Sequence, residues 1–204
     1  MSLPGRAGTR AMEADSAQTR RGVILDGKCF RGDWIEVVGR ADERGRSTVG
    51  TAAEPPLIRW VSAAEDMGGA IGVREQVFCR EQGVSPAEEL DGLDDHALHL
   101  VALEPDGSRV IGTLRLLFAG GRAKIGRVAV EREWRGRGIA SRMLDTALAL
   151  AAERGCHEAR LASQLEATGL YERAGFTIES EPFEEAGIAH VWMGRELRPV
   201  PVRP

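Results

Sequence analysis

Two arginines and two glycines, Arg135-Gly136-Arg137-Gly138, stand where a β-branched run gives way to a helical period. Ile125 to Val130 has the residue types of a strand. After the polar turn Glu131 to Trp134, apolar residues recur at Ile139, Met143, Ala147 and Leu150, with Leu144, Leu148 and Ala151 beside them. The pattern places the glycines at a helix N-terminus. There the first backbone N–H groups lack internal partners, and the helix dipole adds positive charge. Glycine lets the chain turn tightly and lets a bulky anion approach the backbone. Arg135, Gly136, Arg137, Gly138, Ile139, Ala140 and Ser141 therefore read as a cradle for a phosphorylated ligand. No Gly-Lys-Ser/Thr follows, which excludes a nucleoside-triphosphate P-loop, and G-x-G-x-x-G is missing, which excludes the dinucleotide fingerprint. Tyr171, the sole tyrosine, carries a phenol that donates a hydrogen bond at neutral pH.

Arg135-x-x-Gly138-x-Ala140 resembles the R/Q-x-x-G-x-G/A signature of the GNAT superfamily of N-acetyltransferases. Ala167-Thr-Gly-Leu-Tyr171-Glu-Arg-Ala-Gly175-Phe176 is similar to that superfamily's second signature. The stretch Arg74-Glu-Gln-Val-Phe78, Glu81-Gln82-Gly83-Val84, Glu89-Leu-Asp91-Gly-Leu-Asp94 and His99 resembles the ElaA-type branch, as does Phe183-Glu-Glu-Ala-Gly187-Ile-Ala-His190. The resemblance covers roughly Leu57 to Leu197. It implies an N-acetyltransferase in which an acceptor amine attacks the thioester of acetyl-CoA directly.

Several roles follow from the resemblance. Arg135 to Ser141 would hold the pyrophosphate. Val128 and Val130 would present strand backbone to the pantetheine arm, with an amide near Val128 facing the thioester oxygen. Gln164 would contact the pantetheine amide; many family members carry an asparagine near this point, whereas this chain has Ser163-Gln164. Tyr171 would protonate the departing thiolate. The amine's proton could go to Glu81, Glu89, Asp91, Asp94, His99 or His190, and the sequence leaves this choice open. Two other readings stand beside this one. A non-catalytic acyl-CoA sensor would keep the cradle and dispense with Tyr171. An acyl-homoserine-lactone synthase shares the fold and a similar Arg-x-x-Val-Phe helix, but such enzymes generally lack the cradle found here.

The elements that position these residues read as strands at Leu57–Val61, Leu98–Glu104, Arg109–Phe118, Ile125–Val130, Glu158–Ala162, from Phe176, and Ile188–Met193. Helices are expected over Met67–Arg80, from Ile139, and over Leu165–Ala174, with an acidic loop at Glu81–Ala97. This order describes an α/β fold. With the family resemblance it becomes a central mixed, twisted sheet of about six to seven strands layered with about four helices. Residues 1–55 read as an N-terminal extension, partly disordered, with possible short strands at Val23–Leu25 and Trp34–Val38 and a break at Pro55-Pro56. Residues 56–197 form the expected GNAT domain, and 198–204 a tail.

A chain of 204 residues suits one domain with extras, and the net charge of −4 argues against dedicated nucleic-acid or anionic-membrane binding. Cys29, Cys79 and Cys156 are too few and scattered for a disulfide framework or a zinc site, so no metal is expected. No apolar run reaches membrane-span length, and no secretory signal pattern opens the chain. The expected setting is the cytoplasm, as a monomer or homodimer, with acetyl-CoA and an amine acceptor as its partners.

Overall fold

The computed structural model describes residues 24–25, 28–29, 54–61 and 67–198. Ile24–Leu25 (β1) pairs antiparallel with Lys28–Cys29 (β2). The strand expected at Trp34–Val38, the opening twenty residues and the last six lie outside the described residues.

The remaining strands build one eight-stranded sheet. They are β3 (Leu57–Val61), β4 (Leu98–Leu103), β5 (Val110–Ala119), β6 (Arg122–Val130), β7 (Glu158–Gln164), β8 (Thr177–Ile178), β9 (Phe183–Glu185) and β10 (Ile188–Glu196). Their order is β3-β4-β5-β6-β7-β10-β8, and β9 also pairs with β10. The strand expected from Phe176 is the short β8, and β9 is one more than the sequence pattern showed. Every pairing is antiparallel except β6 with β7. Helices cover both faces. Ile139–Glu153 (α3) buries Ile139, Met143, Leu144, Ala147, Leu148 and Ala151 in the larger core. Met67–Arg74 (α1) contributes Ala70 and Val73 to a second cluster with Val101, Val110 and Ala129. With both faces covered, β5 is buried continuously from Val110 to Leu116, as a central strand should be. Gly69, which weakens α1 as a helix, allows its close approach: a Cβ there would stand 2.6 Å from Val110 Cγ2.

Two features depart from the sequence expectation. The helix expected over Met67–Arg80 changes its winding. After Arg74 it continues as a π-helix, Glu75–Glu81. The acidic loop folds as well. Ser85 and Glu88 form a reciprocal capping box at the start of Pro86–Glu89 (α2), and a 3₁₀ turn follows at Asp94–His96.

The carboxylates of this segment reach into the protein and meet three arginines. Arg74, fully buried, pairs with Glu89 through Nε and with Asp94 through Nη1 at 2.9 Å. Arg115 on β5 makes two bonds to Asp91, at 2.6 and 2.7 Å, and one to Asp94 at 2.9 Å. Arg127 on β6 meets Asp91 and Glu89 at 3.2 Å and donates to the Glu89 carbonyl at 2.8 Å. Three cations face three anions, so the cluster is neutral. Pairing with several hydrogen bonds is what makes burial of these charges tolerable. The hydrogen bonds from Arg115 hold the Asp91 carboxyl well below the usual carboxylate range. Burial works against the Asp94 charge, but bonds from Arg74 and Arg115 outweigh it and lower that group too.

A carboxylate whose pKa is depressed by folding stabilises the fold above its unfolded value, near 3.9 for Asp, and loses that contribution as pH falls. Thermal stability should therefore drop between about pH 5 and 3. Calorimetry across this range should give a shallower pH slope for Asp91→Asn than for the parent, from a lower starting stability. Equal slopes would remove Asp91 from the account.

Candidate active site

The site begins where β6 and β7 separate. They pair at Arg122–Glu158, Ala123–Ala159 and Lys124–Arg160, and no further. Beyond that point β7 continues to Gln164 on the edge of β10 alone, while β6 continues to Val130 on the edge of β5 alone. The register between β5 and β6 slips between Thr113 and Arg115, opposite Gly126 and Ala129. In that bulge Arg127 has φ 51°, a left-handed backbone that side chains other than glycine rarely adopt. The bonds from its guanidinium to the α2 segment hold it there. Bulges bend and twist the strand that carries them. Here the bulge sits where β6 leaves β7.

The gap belongs to an open cavity of about 1240 Å³. Residues 124–130 of β6 form one wall, and Leu161, Ala162 and Gln164 of β7 another. Because β7 pairing ends at Lys124, the backbone of residues 125–130 carries no strand bonds on this side. Val128 and Val130 both lie in this stretch and line the cavity.

The cradle closes one part of the cavity. Gly136 and Gly138 have φ 75° and 74°, so both use the freedom that glycine alone has without strain. Gly138 is the N-cap of α3 and no side chain caps it. The first internal bond of the helix runs from the Arg142 N–H to the Gly138 carbonyl. Ile139, Ala140 and Ser141 precede that bond, and all three line the cavity with Arg135, Gly136 and Gly138. The arrangement can bind an anion through backbone N–H groups and the helix dipole. Arg135 is engaged on both sides, donating to the Val130 carbonyl at 2.9 Å and to Glu81 at 2.8 Å. Arg137 alone of the expected cradle residues lies off the cavity wall. Its guanidinium stacks 4.6 Å from the Trp134 ring and donates to the Glu133 carbonyl.

Tyr171 lies on Thr168–Arg173 (α4), is 7% exposed, and packs edge-on against Phe176 with ring centroids 6.2 Å apart. It lines the cavity, and no described residue hydrogen-bonds its hydroxyl. Burial pushes its pKa up to about 12, so the phenol keeps its proton at neutral pH. Gln164 and Gln82 exchange amide hydrogen bonds at 2.9 and 3.3 Å, joining the end of β7 to the residue that follows the π-helix.

The six carboxylates and histidines able to take a proton separate sharply. Glu89, Asp91 and Asp94 are spent on the arginine cluster. Burial opposes the Glu81 charge, but Arg135 and Arg132 prevail and hold its pKa low. His99 is fully buried away from the cavity, with Nε2 3.0 Å from the Asp94 carbonyl. His190 lines the cavity. Its wall is an aromatic ladder on the β9–β10 hairpin, with Phe183 stacked on His190 and on Trp192 at centroid distances of 6.0 and 5.7 Å. Sequence reading did not single out Phe183, Trp192, Phe78 or Arg127 as part of the site. The alternation of Ile188, His190 and Trp192 on one face of a strand was the available signal for the ladder.

A model of the acetyltransferase (GNAT) family matches residues 55–176. The N-acetyltransferase YjcF of Bacillus subtilis, itself uncharacterized, is 32% identical over 133 residues, covering 65% of this chain and 94% of YjcF. Among solved structures, an acyl-CoA N-acyltransferase from Pseudomonas aeruginosa superposes with a TM-score of 0.61 at 27% identity, covering 69% of this chain and 99% of that one. Escherichia coli ElaA shares the fold, with a TM-score of 0.61 at 24% identity over 70% of this chain and all of ElaA. The parted strands, the glycine-capped helix and these likenesses agree: the chain belongs to the GNAT family of acetyltransferases and is an acyltransferase.

Proposed function

We propose that the protein moves an acetyl group from acetyl-CoA to an amine, and that the amine nitrogen attacks the thioester carbon directly. One observation carries this reading: the gap between β6 and β7 opens onto the bare N-terminus of α3 and has the unpartnered Tyr171 phenol on its wall. The N–H groups of residues 139–141, with Arg135 beside them, suit a pyrophosphate. The free β6 edge suits a pantetheine arm, whose amides would pair with it as an added strand does. An amide of the same edge near Val128 suits the thioester oxygen as it gains charge. The nitrogen–carbon bond forms as the carbon–sulfur bond breaks, and the sulfur takes a proton from Tyr171. Burial, which raises the phenol's pKa to about 12, keeps it protonated at neutral pH and so able to donate to the sulfur as the bond breaks. The phenolate can then recover a proton from the new amide nitrogen. The likeness to an acyl-CoA N-acyltransferase supports the donor class.

Release of free thiol across a panel of amines tests the reaction. No turnover with any amine, together with tight acetyl-CoA binding, would instead favour the sensor. Gly138→Asp forces a side chain into a backbone at φ 74° and sets a negative charge in the cradle. Saturating acetyl-CoA should stabilise the parent, by about 2.7 kcal/mol at a hundredfold excess over Kd, and should leave the variant's melting temperature unmoved. Equal stabilisation of the two would refute the cradle.

Tyr171→Phe removes one oxygen and keeps the ring against Phe176. Turnover should fall by roughly two to three orders of magnitude, within the range for one acid–base group. Acetyl-CoA affinity should be unchanged, because the lost bond matters mainly in the transition state. Unaltered turnover would make Tyr171 a packing residue.

A further inference from the structure

We propose that His190 takes the proton from the incoming acceptor ammonium. This rests on the acetyltransferase reading and adds to it the base that the family match leaves unnamed.

The assignment comes from hydrogen bonding. His190 Nδ1 lies 2.8 Å from the Ile188 carbonyl oxygen. A carbonyl only accepts, so Nδ1 must carry the hydrogen when the ring is neutral. The other nitrogen, Nε2, is then left with its lone pair, and no described residue donates to it. The ring itself is fixed, because it stacks on Phe183 with the planes 25° apart. Fixing the tautomer through Nδ1–H is how a protein readies Nε2 to accept a proton.

The competing groups lack these properties. Arg74, Arg115 and Arg127 neutralise Glu89, Asp91 and Asp94, so a proton placed on any of them would break a buried ion pair. Glu81 is held by Arg135. His99 has no access to the cavity. The charged groups lining the cavity from elements packed against β10 are Glu184 and Glu185 on β9 and Glu166 in the turn after β7. β7 itself places Gln164, which does not titrate, opposite His190. The Lys124 ammonium rests 5.6 Å from the Trp192 ring centroid, the next aromatic along β10. The three glutamates are exposed side chains. A carboxylate is also a weaker base than imidazole at neutral pH.

The step balances. The ammonium gives one proton to Nε2 and becomes a neutral amine with a free electron pair. That pair forms the bond to the thioester carbon, and the imidazolium later returns its proton to water. The net products are the acetylated amine, the free thiol and one proton.

The test uses the full chain, acetyl-CoA and whichever primary amine the parent turns over fastest, chosen from a polyamine, an aminoglycoside and a peptide α-amine. His190→Gln should lower kcat/KM at neutral pH by on the order of a hundredfold or more. The deficit should shrink as pH rises toward the acceptor's own pKa, where the amine arrives neutral and needs no base. The acetyl-CoA-induced thermal shift should match the parent's, which controls for folding. His190→Asn, which keeps a donor for the Ile188 carbonyl, should behave alike. Glu185→Gln should retain the parent's pH profile. A His190→Gln deficit that is absent, or constant at every pH, overturns the assignment, as does a Glu185→Gln variant that reproduces the lost limb. An inactive parent that still binds acetyl-CoA overturns the acetyltransferase reading and this base with it. An active parent with unchanged His190 variants overturns the base alone.

Discussion

Three parallel register pairs hold β6 to β7, and everything functional depends on the missing fourth. Backbone N–H and C=O groups seldom go unpaired inside a protein, because burying them without partners is costly. Two neighbouring parallel strands would ordinarily zip to their ends. They do not here: the bulge at Arg127 bends β6 just past the last shared pair, while each strand stays paired along its other edge. β10 pairs with β7 along its whole length, from Glu158 to Gln164, and β5 holds β6 through the bulge at Arg127. The released groups face an open cavity, where water or a ligand's amides can satisfy them. A gap of this kind is at once a defect in the sheet and an extended binding edge.

The ionic cluster of Arg74, Arg115, Arg127, Glu89, Asp91 and Asp94 keeps the gap in register with the wall across from it. Its arginines come from α1, β5 and β6, and its acids from the segment that begins with α2. Replacing such a cluster by apolar residues often stabilises a protein, so stability alone is a poor reason for it. Geometry is a better one. Arg127 has a left-handed backbone, and its side chain is tied to the carbonyl of Glu89 and the carboxylate of Asp91. The same bonds fix where α2 lies beside the cavity. One cluster therefore ties the bulge of β6 to the segment that lies across from it.

Much of this architecture was legible in the sequence, and the limits have physical causes. α3 and its glycine entry were readable because helical period and turn chemistry are local properties. The strands β3 to β6 were readable for the same reason. The π-helix was not, because nothing in the residue types from Glu75 to Glu81 marks a change of winding. The acidic segment read as a loop with solvent-facing charges because its partners lie 15 to 38 residues away, and nothing local marks them. The parting of β6 and β7 is likewise invisible, since neither strand's composition says where pairing stops. Tyr171 could be singled out, but its burial and its lack of a partner among the described residues could not. His190 stood among six candidates until the partners of the other five were known.

The two groups proposed to handle protons differ in environment. Tyr171 sits in an apolar pocket beside Phe176 that favours its neutral form, so it is present as a hydrogen-bond donor and keeps its proton at neutral pH. His190 sits on the hairpin wall with one nitrogen tied to a carbonyl and the other free, so it is arranged to receive one. The proposed acid and base are therefore on different elements, α4 and β10, and both line the cavity. That separation matches what thioester aminolysis requires. The proton leaves from the acceptor side, another arrives on the sulfur side, and the carbon under attack lies between them. A single group serving both ends would need to move during the reaction. Two fixed groups with opposed preferences need only a substrate that reaches from one to the other.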